Sequence, residues 1–282
     1  MAVRRLPIQA RARRFGRHGL LILCSLFFLG PFFWMLTTAL KPAREVLVYP
    51  PILLPSSWHF DNFSAAWNAA AFGTYLKNSL TVAGLDTVAQ IISSAIVAYG
   101  FARFRFRGRD ALFAILLASM MIPWDVTMIP RYIEFKAFGW IDTLKPLIVP
   151  NFFGGPFFIF LLRQFLLGVP RELDEAARID GANALTTFLL VIVPLLRPAL
   201  MVVGVFEFFD AWNDYLGPLI FLNSDQNYTL MLGIAQFHGM FTGQTNVQPL
   251  MAVTLLACVP PLIGFFIVQR HITQGIATTG IK

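Results

Sequence analysis

Charge is scarce in this 282-residue chain: Asp, Glu, Lys and Arg together make up 13% of it, about half the share a soluble domain carries. Such a sequence has too few charges to cover a globular surface in water, which excludes an ordinary soluble fold. Cysteine is scarcer still. Cys24 and Cys258 both fall inside long apolar runs, which excludes a disulfide framework and a four-ligand zinc site. The four histidines, His18, His59, His238 and His271, have no paired ligand spacing, so no metal is implied. No G-x-x-x-x-G-K-[ST] phosphate loop, G-x-S-x-G elbow or H-E-x-x-H pair occurs, so the chain is not expected to be an enzyme by itself or to carry a cofactor.

What is abundant is apolar: 57% of residues are hydrophobic, 29 are Phe, and mean hydropathy is +0.66. A net charge of +7 raises the possibility of nucleic-acid binding, but the basic residues lie in short clusters between apolar segments and make no single polar surface. A lipid environment accounts for both facts. Crossing a bilayer core takes roughly 20 apolar helical residues. Runs of about that length are Gly19–Leu40, Leu76–Ala102, Ala111–Ile129, Pro146–Leu166, Ala199–Leu222 and Pro249–Val268. The expected fold is therefore an all-α integral membrane protein of six transmembrane helices. The first run follows Arg4, Arg5, Arg11, Arg13, Arg14 and Arg17 as a signal peptide would, but its length and the lack of a small-residue cleavage site read as an uncleaved anchor.

Sixteen of the 22 Lys and Arg fall on the side of the N-terminus. Besides that tail these are Arg103, Arg105, Arg107, Arg109, Arg163, Arg171, Arg178, Arg197, Arg270 and Lys282. The other side holds Lys41, Arg44, Lys77, Arg131, Lys136 and Lys145. The positive-inside rule then places both termini in the cytoplasm. The expected organisation is a basic tail (1–18), an anchor (19–40), an extracytoplasmic Pro-rich loop (41–72), a transmembrane domain (73–268) and a cytoplasmic tail (269–282). The aromatic stretch from Arg131 to Thr143 reads as an interfacial helix at headgroup level or a partner surface.

The most informative segment is the cytoplasmic loop 169–194, long for a bundle connection. Pro170 suits a first helical position, Glu172 and Asp174 complement the positive helix start, and Gly181 suits a left-handed cap. This predicts a three-turn helix over Pro170–Asp180. A second helical run over Ala184–Val193 is expected to break at Pro194 and Pro198 before the fifth span. Glu175-Ala176-Ala177, then Gly181, then Val191-Ile192-Val193-Pro194 resembles the EAA loop of ABC importer permeases. Val191 and Val193 stand where that family's pattern has Ile-x-Leu before the proline. Asn78-Ser79, the run from Ala98 to Arg103, Met121-Ile122-Pro123, Trp212-Asn213-Asp214, Tyr228-Thr229-Leu230 and the tail from Gly275 extend the resemblance to the sugar-importer branch, which includes the smaller membrane subunit of the maltose transporter.

The resemblance implies a coupling helix that contacts an ATPase through Leu173, Glu175, Ala176, Ala177, Arg178, Asp180 and Gly181. It also implies a bacterial or archaeal cytoplasmic membrane, a second homologous permease subunit, two nucleotide-binding subunits carrying ATP and magnesium, and an extracytoplasmic solute-binding protein. Membrane lipid is the remaining partner and nucleic acid is not one. The sugar branch makes a sugar or oligosaccharide the expected solute.

Glu207, Asp210 and Asp214 stand at i, i+3 and i+7 on one helical stripe. Up to roughly 7 to 10 kcal/mol would oppose such a stripe facing lipid while ionised, so it must face protein or water. Glu207 and Asp210, with Asp86 and Asn213, are candidates for a solute path. Pairing with groups of a partner subunit is the alternative for the acids, and interhelical hydrogen bonding is the plainer role for the polar seam Asp86, Gln90 and Ser94. Two other classes remain: a membrane-embedded enzyme that would act without any ATPase, and a channel or secondary transporter that would need no cytoplasmic docking elbow.

Overall fold

The computed structural model describes residues 8–240 and 247–279, with side chains over 16–239 and 247–269. Arg4, Arg5 and Lys282, which entered the charge count above, lie outside the described residues, as do the side chains of Arg11, Arg13, Arg14 and Arg270. The regular elements of the described residues are all helical, and no strand occurs among them. Its α-helices are α1 (Ile8–Ala39), α2 (Asp61–Asn68), α3 (Phe72–Arg103), α4 (Arg109–Ser119), α5 (Trp124–Ala137), α6 (Lys145–Ile148), α7 (Pro156–Leu167), α8 (Glu172–Ile179), α9 (Ala184–Thr187), α10 (Val193–Asn213), α11 (Leu216–Phe221), α12 (Leu230–Met240) and α13 (Val247–Thr279).

Five helices among the described residues are long and apolar enough to cross a membrane, and a sixth crossing results if α4 and α5 form one bent span. Three expectations need correction. The run Ala111–Ile129 is not one straight helix: α4 and α5 meet at 97°. The cause is local, because Pro123 precedes α5 in an extended conformation and disfavours a helical Ile122. The interfacial helix expected from Arg131 is the second half of α5, and it ends where Trp140 folds back to stack on Phe135. The helix after the Gly181 turn does not break at Pro194 but runs continuously over Ala184–Asn213. A widened π-type turn at Phe188–Ile192, in which Val193 N–H donates to the Phe188 carbonyl, lets the chain pass the missing N–H of Pro194. The fifth span therefore begins fifteen residues earlier than the apolar run suggested and ends at Asn213, with α11 a separate short helix.

Contacts divide the chain into two compact units, Met1–Ala70 with Phe237–Ala257, and Ala71–Gln236 with Cys258–Lys282. In the first, the apolar side chains of α1 are exposed from Leu20 to Phe33, as a helix bathed in lipid requires. The Pro-rich segment that follows is ordered by polar contacts of its own. Asn62 Nδ2 donates to the Ala39 and Lys41 carbonyls at 2.9 and 3.1 Å, and Lys41 sits over the Trp34 ring at 4.2 Å. Ser56 donates twice to Glu45, which holds that carboxyl below the usual range.

The second unit is built around α3, against which α7 and α10 pack. Ala95, Ala98 and Ala102 repeat on one α3 face, and their small size brings the partner helices close. Leu162 and Leu166 of α7, Ile192 of the widened turn, and Leu196, Ala199 and Val203 of α10 fill the core they share. The seam beside them is structural. Gln90 accepts from Gly155 N at 2.6 Å and donates to Asn151 at 3.2 Å, and Ser94 donates to Gln90. These bonds satisfy the irregular backbone between α6 and α7, which lipid could not do.

The α12 helix, which hydropathy did not reveal, starts where Ser79 accepts from Leu230 N at 2.8 Å and passes its Gly233 over the Tyr75 ring. A methyl group added at Gly233 would stand 2.2 Å from a Tyr75 ring carbon. Gly233→Ala is therefore expected to destabilise this unit by about 1 to 3 kcal/mol, seen as a lower melting temperature of the purified protein. An unchanged melting temperature would show that α12 sits differently.

At the same end, Asp142 accepts from the backbone of Asn223 and Ser224, from the Ser224 hydroxyl and from Asn227 Nδ2. These four donors hold its carboxyl well below the usual range and tie the loop after α5 to the loop after α11.

Candidate functional site: a clamped helix and an acidic cavity

Two places bring the candidate residues together, both within the second unit. The first is the elbow. The α8 helix carries Glu172, Asp174 and Glu175 in its first turn and Arg178 in its last, as its dipole favours. It spans eight residues, one turn shorter than expected, because Pro170 stays outside and the helix begins at Glu172. Gly181 ends it at φ +85°, with Ala182 N–H donating to the Ala177 carbonyl and Gly181 N–H to that of Arg178. That pair of bonds is the left-handed glycine cap, a turn a β-carbon would strain. Asn183 then caps α9 by accepting from Thr186 N at 2.9 Å.

One face of α8 is held down. Asp174 Oδ2 lies 3.1 Å from Arg103 Nε, with the two side chains 10% and 5% exposed. Tyr99 donates to the other Asp174 oxygen at 3.5 Å. Arg103 also donates to the Val169 carbonyl at 3.0 Å, and Arg171 donates to that of Ala102 at 3.3 Å. Ala177 lies on this inner face, 8% exposed, so of the two alanines only Ala176 is open to another surface. Glu175, Arg178, Asp180 and Gly181 are exposed. So is an apolar row: Leu173, Ala176 and Ile179, the last 86% exposed. Sequence reasoning missed the Arg103–Asp174 clamp because its members are 71 positions apart, and it did not single out Ile179.

The second place is a cavity of about 790 Å³. Asp86 of α3 and Glu207, Asp210 and Asn213 of α10, the four solute-path candidates, all line it, as do Asp214 and Gln90. Asp125 and Trp124 from the start of α5, Asn151, Phe158, Tyr215 and Thr229 complete much of the wall. Asp125 was not recognised from sequence, since only the bend between α4 and α5 turns it here. Asp214 has a backbone role as well, accepting from Gly217 N at 3.1 Å where α11 begins. Asn213 donates to the Phe209 carbonyl at 2.7 Å. Asp86 and Glu207 are 3% and 5% exposed, and Asp86 Oδ1 has no hydrogen-bond partner among the described residues. Such a constellation can accept hydrogens from hydroxyl or amino groups and offers aromatic faces beside them. Among the described residues no group of three or more His, Cys, Asp or Glu could hold a metal ion.

Comparison with known proteins agrees with this architecture. The chain is 33% identical over 269 residues to the diacetylchitobiose uptake system permease protein NgcG of Streptomyces coelicolor, covering 94% of this chain and 88% of that one. It is 31% identical to the arabinooligosaccharides transport system permease protein AraQ of Bacillus subtilis, covering 93% of each. A chain in the crystal structure of a bacterial ABC transporter involved in the import of the acidic polysaccharide alginate superposes with a TM-score of 0.79 at 22% identity, over 95% of this chain and 99% of that one. The fold is thus that of an ABC importer permease. Residues 90–278, which include the elbow, most of the cavity wall, the bent α4–α5 pair and three of the five long apolar helices, match the family described as binding-protein-dependent transport system inner membrane component, and the chain belongs to that family.

Proposed function

We propose that this chain is one of two permease subunits of an ATP-driven importer that moves a sugar or oligosaccharide, delivered by an external binding protein, through alternating access. Its place is the cytoplasmic membrane of a bacterium or archaeon, with both termini in the cytoplasm, as the sixteen-to-six basic asymmetry requires. A second homologous permease completes the path. Two nucleotide-binding subunits hold the ATP and magnesium. The relatives named for diacetylchitobiose and arabinooligosaccharides support the solute class.

The observation that carries the reading is the two-sidedness of α8. Its inner face is ion-paired to the end of α3, while its outer face presents Leu173, Ala176 and Ile179 to solvent between Glu175 and Arg178. A helix that exposes an apolar row yet is anchored on its other side is built to pass a push from a partner into α3. Movement of the ATPase subunits shifts α8, the Arg103–Asp174 clamp carries the shift to α3, and α3 forms one wall of the cavity. The cavity then opens alternately to the two sides.

The test is uptake by membrane vesicles holding the whole complex, with and without the ATPase subunits. Loss of concentrative uptake without them is expected, and uptake that persists would overturn the importer assignment in favour of a channel or secondary transporter. Within the intact complex, Asp86→Ala or Glu207→Ala is expected to lower uptake about ten- to a hundredfold, the cost of leaving a buried solute hydroxyl without its acceptor, without changing assembly. Unchanged rate and affinity in both variants would remove the cavity from the solute path.

A further inference from the structure

Resting on the solute-path reading, we infer that the cavity admits neutral or cationic hydroxyl-rich solutes and turns away those bearing carboxylates or other anionic groups. Five carboxylates from separate parts of the fold converge on it: Asp86, Asp125, Glu207, Asp210 and Asp214. The described residues that line it include no Lys, Arg or His. None of the five takes part in the ion pairs of the described residues, which lie elsewhere in the molecule. Independent of the acids, the Thr229 hydroxyl, in a residue 4% exposed, borders the same cavity with no hydrogen-bond partner among the described residues. With Asp86 Oδ1, it leaves two buried polar atoms whose hydrogen-bonding capacity a solute can fill.

The wall is thus dominated by acceptors. An ionised carboxylate accepts hydrogen bonds and donates none. A sugar hydroxyl or ammonium group brings the hydrogens such a wall needs, whereas a uronate brings another acceptor and a like charge into a region of low dielectric. Trp124, Phe158 and Tyr215 add aromatic faces that suit the C–H face of a sugar ring or a cation. The fold that this chain shares with the alginate-importer chain does not fix the wall's charge, which depends on side chains alone.

The intact complex, purified in detergent, supplies the test. Asn213→Cys is introduced in a Cys24→Ala, Cys258→Ala background and treated with two methanethiosulfonates of similar size, one bearing a trimethylammonium and the other a sulfonate. Rates are normalised to free cysteine. The cationic reagent is expected to react about tenfold faster or more, as a cleft lined by one sign concentrates its counter-ion. Adding Asp125→Asn and Asp210→Asn should shrink that ratio several-fold. Equal normalised rates would overturn the charge selection, for instance because a partner subunit neutralises the acids, and would leave the solute path standing. A cysteine that reacts with neither reagent would show that water does not reach the cavity, and both readings would fall.

Discussion

Asp174→Ala is expected to cost about 3 to 5 kcal/mol and to uncouple ATP hydrolysis from transport. The magnitude follows from removing one partner of a buried ion pair. Arg103, with its side chain 5% exposed, would lose its counter-charge and keep only the Val169 carbonyl. The Tyr99 hydroxyl, packed edge-on against Phe104 and tilted against Phe188, would lose its acceptor as well. Melting of the purified complex and protease cleavage within 169–183 report the loss of anchorage. ATPase activity measured beside uptake reports the loss of coupling. The double variant Arg103→Met, Asp174→Leu separates charge from shape, because replacing a whole buried pair by apolar groups is often neutral or stabilising. Recovery of stability together with uptake would show that the clamp works as a rigid contact. A single variant that melts and transports as the parent does would show that α8 is held by something other than this pair.

The second large effect is expected at Ile179→Asp. Ile179 is 86% exposed and contributes almost nothing to the folded unit, so its replacement should move stability by no more than about 0.5 kcal/mol. Docking is another matter. A large, almost fully exposed apolar side chain at the end of a row with Leu173 and Ala176 fits the pattern of a residue that dominates an interface. A loss of about 2 kcal/mol or more is expected, roughly a thirtyfold weaker affinity for the nucleotide-binding subunit. Titration of that subunit against the permease pair in detergent measures it directly. Undiminished affinity would mean that the ATPase engages another surface, and the elbow would lose its role as the docking site.

The two sites differ in how far they could be read in advance. The elbow is local: its acidic first turn, Gly181 and the start of α9 at Ala184 follow from residues within a dozen positions, so position and cap type were both legible. Asn183 as the cap of α9 emerged only from the structure. The face that α8 buries was not legible either. Which of Ala176 and Ala177 turns inward depends on where Arg103 stands, and Arg103 belongs to another helix. In the cavity, the stripe of Glu207 and Asp210 was visible as an i, i+3 pattern, but Asp125 was not: Pro123 marks a break, yet its 97° angle and the side to which it turns Asp125 are not written in the local sequence.

By itself the sequence determined that this is a helical membrane protein and where a glycine-capped turn ends a short helix between two apolar runs. Each of these depends on composition or on neighbours within a few turns, since lipid forces backbone hydrogen bonds to be satisfied locally. Only the tertiary structure decided that α3 packs against α7 and α10, that Asp174 is locked to Arg103, and that five acids share one cavity. Those are meetings between helices far apart in the chain, fixed by which faces pack, and a one-dimensional pattern carries no record of which partner each face will find.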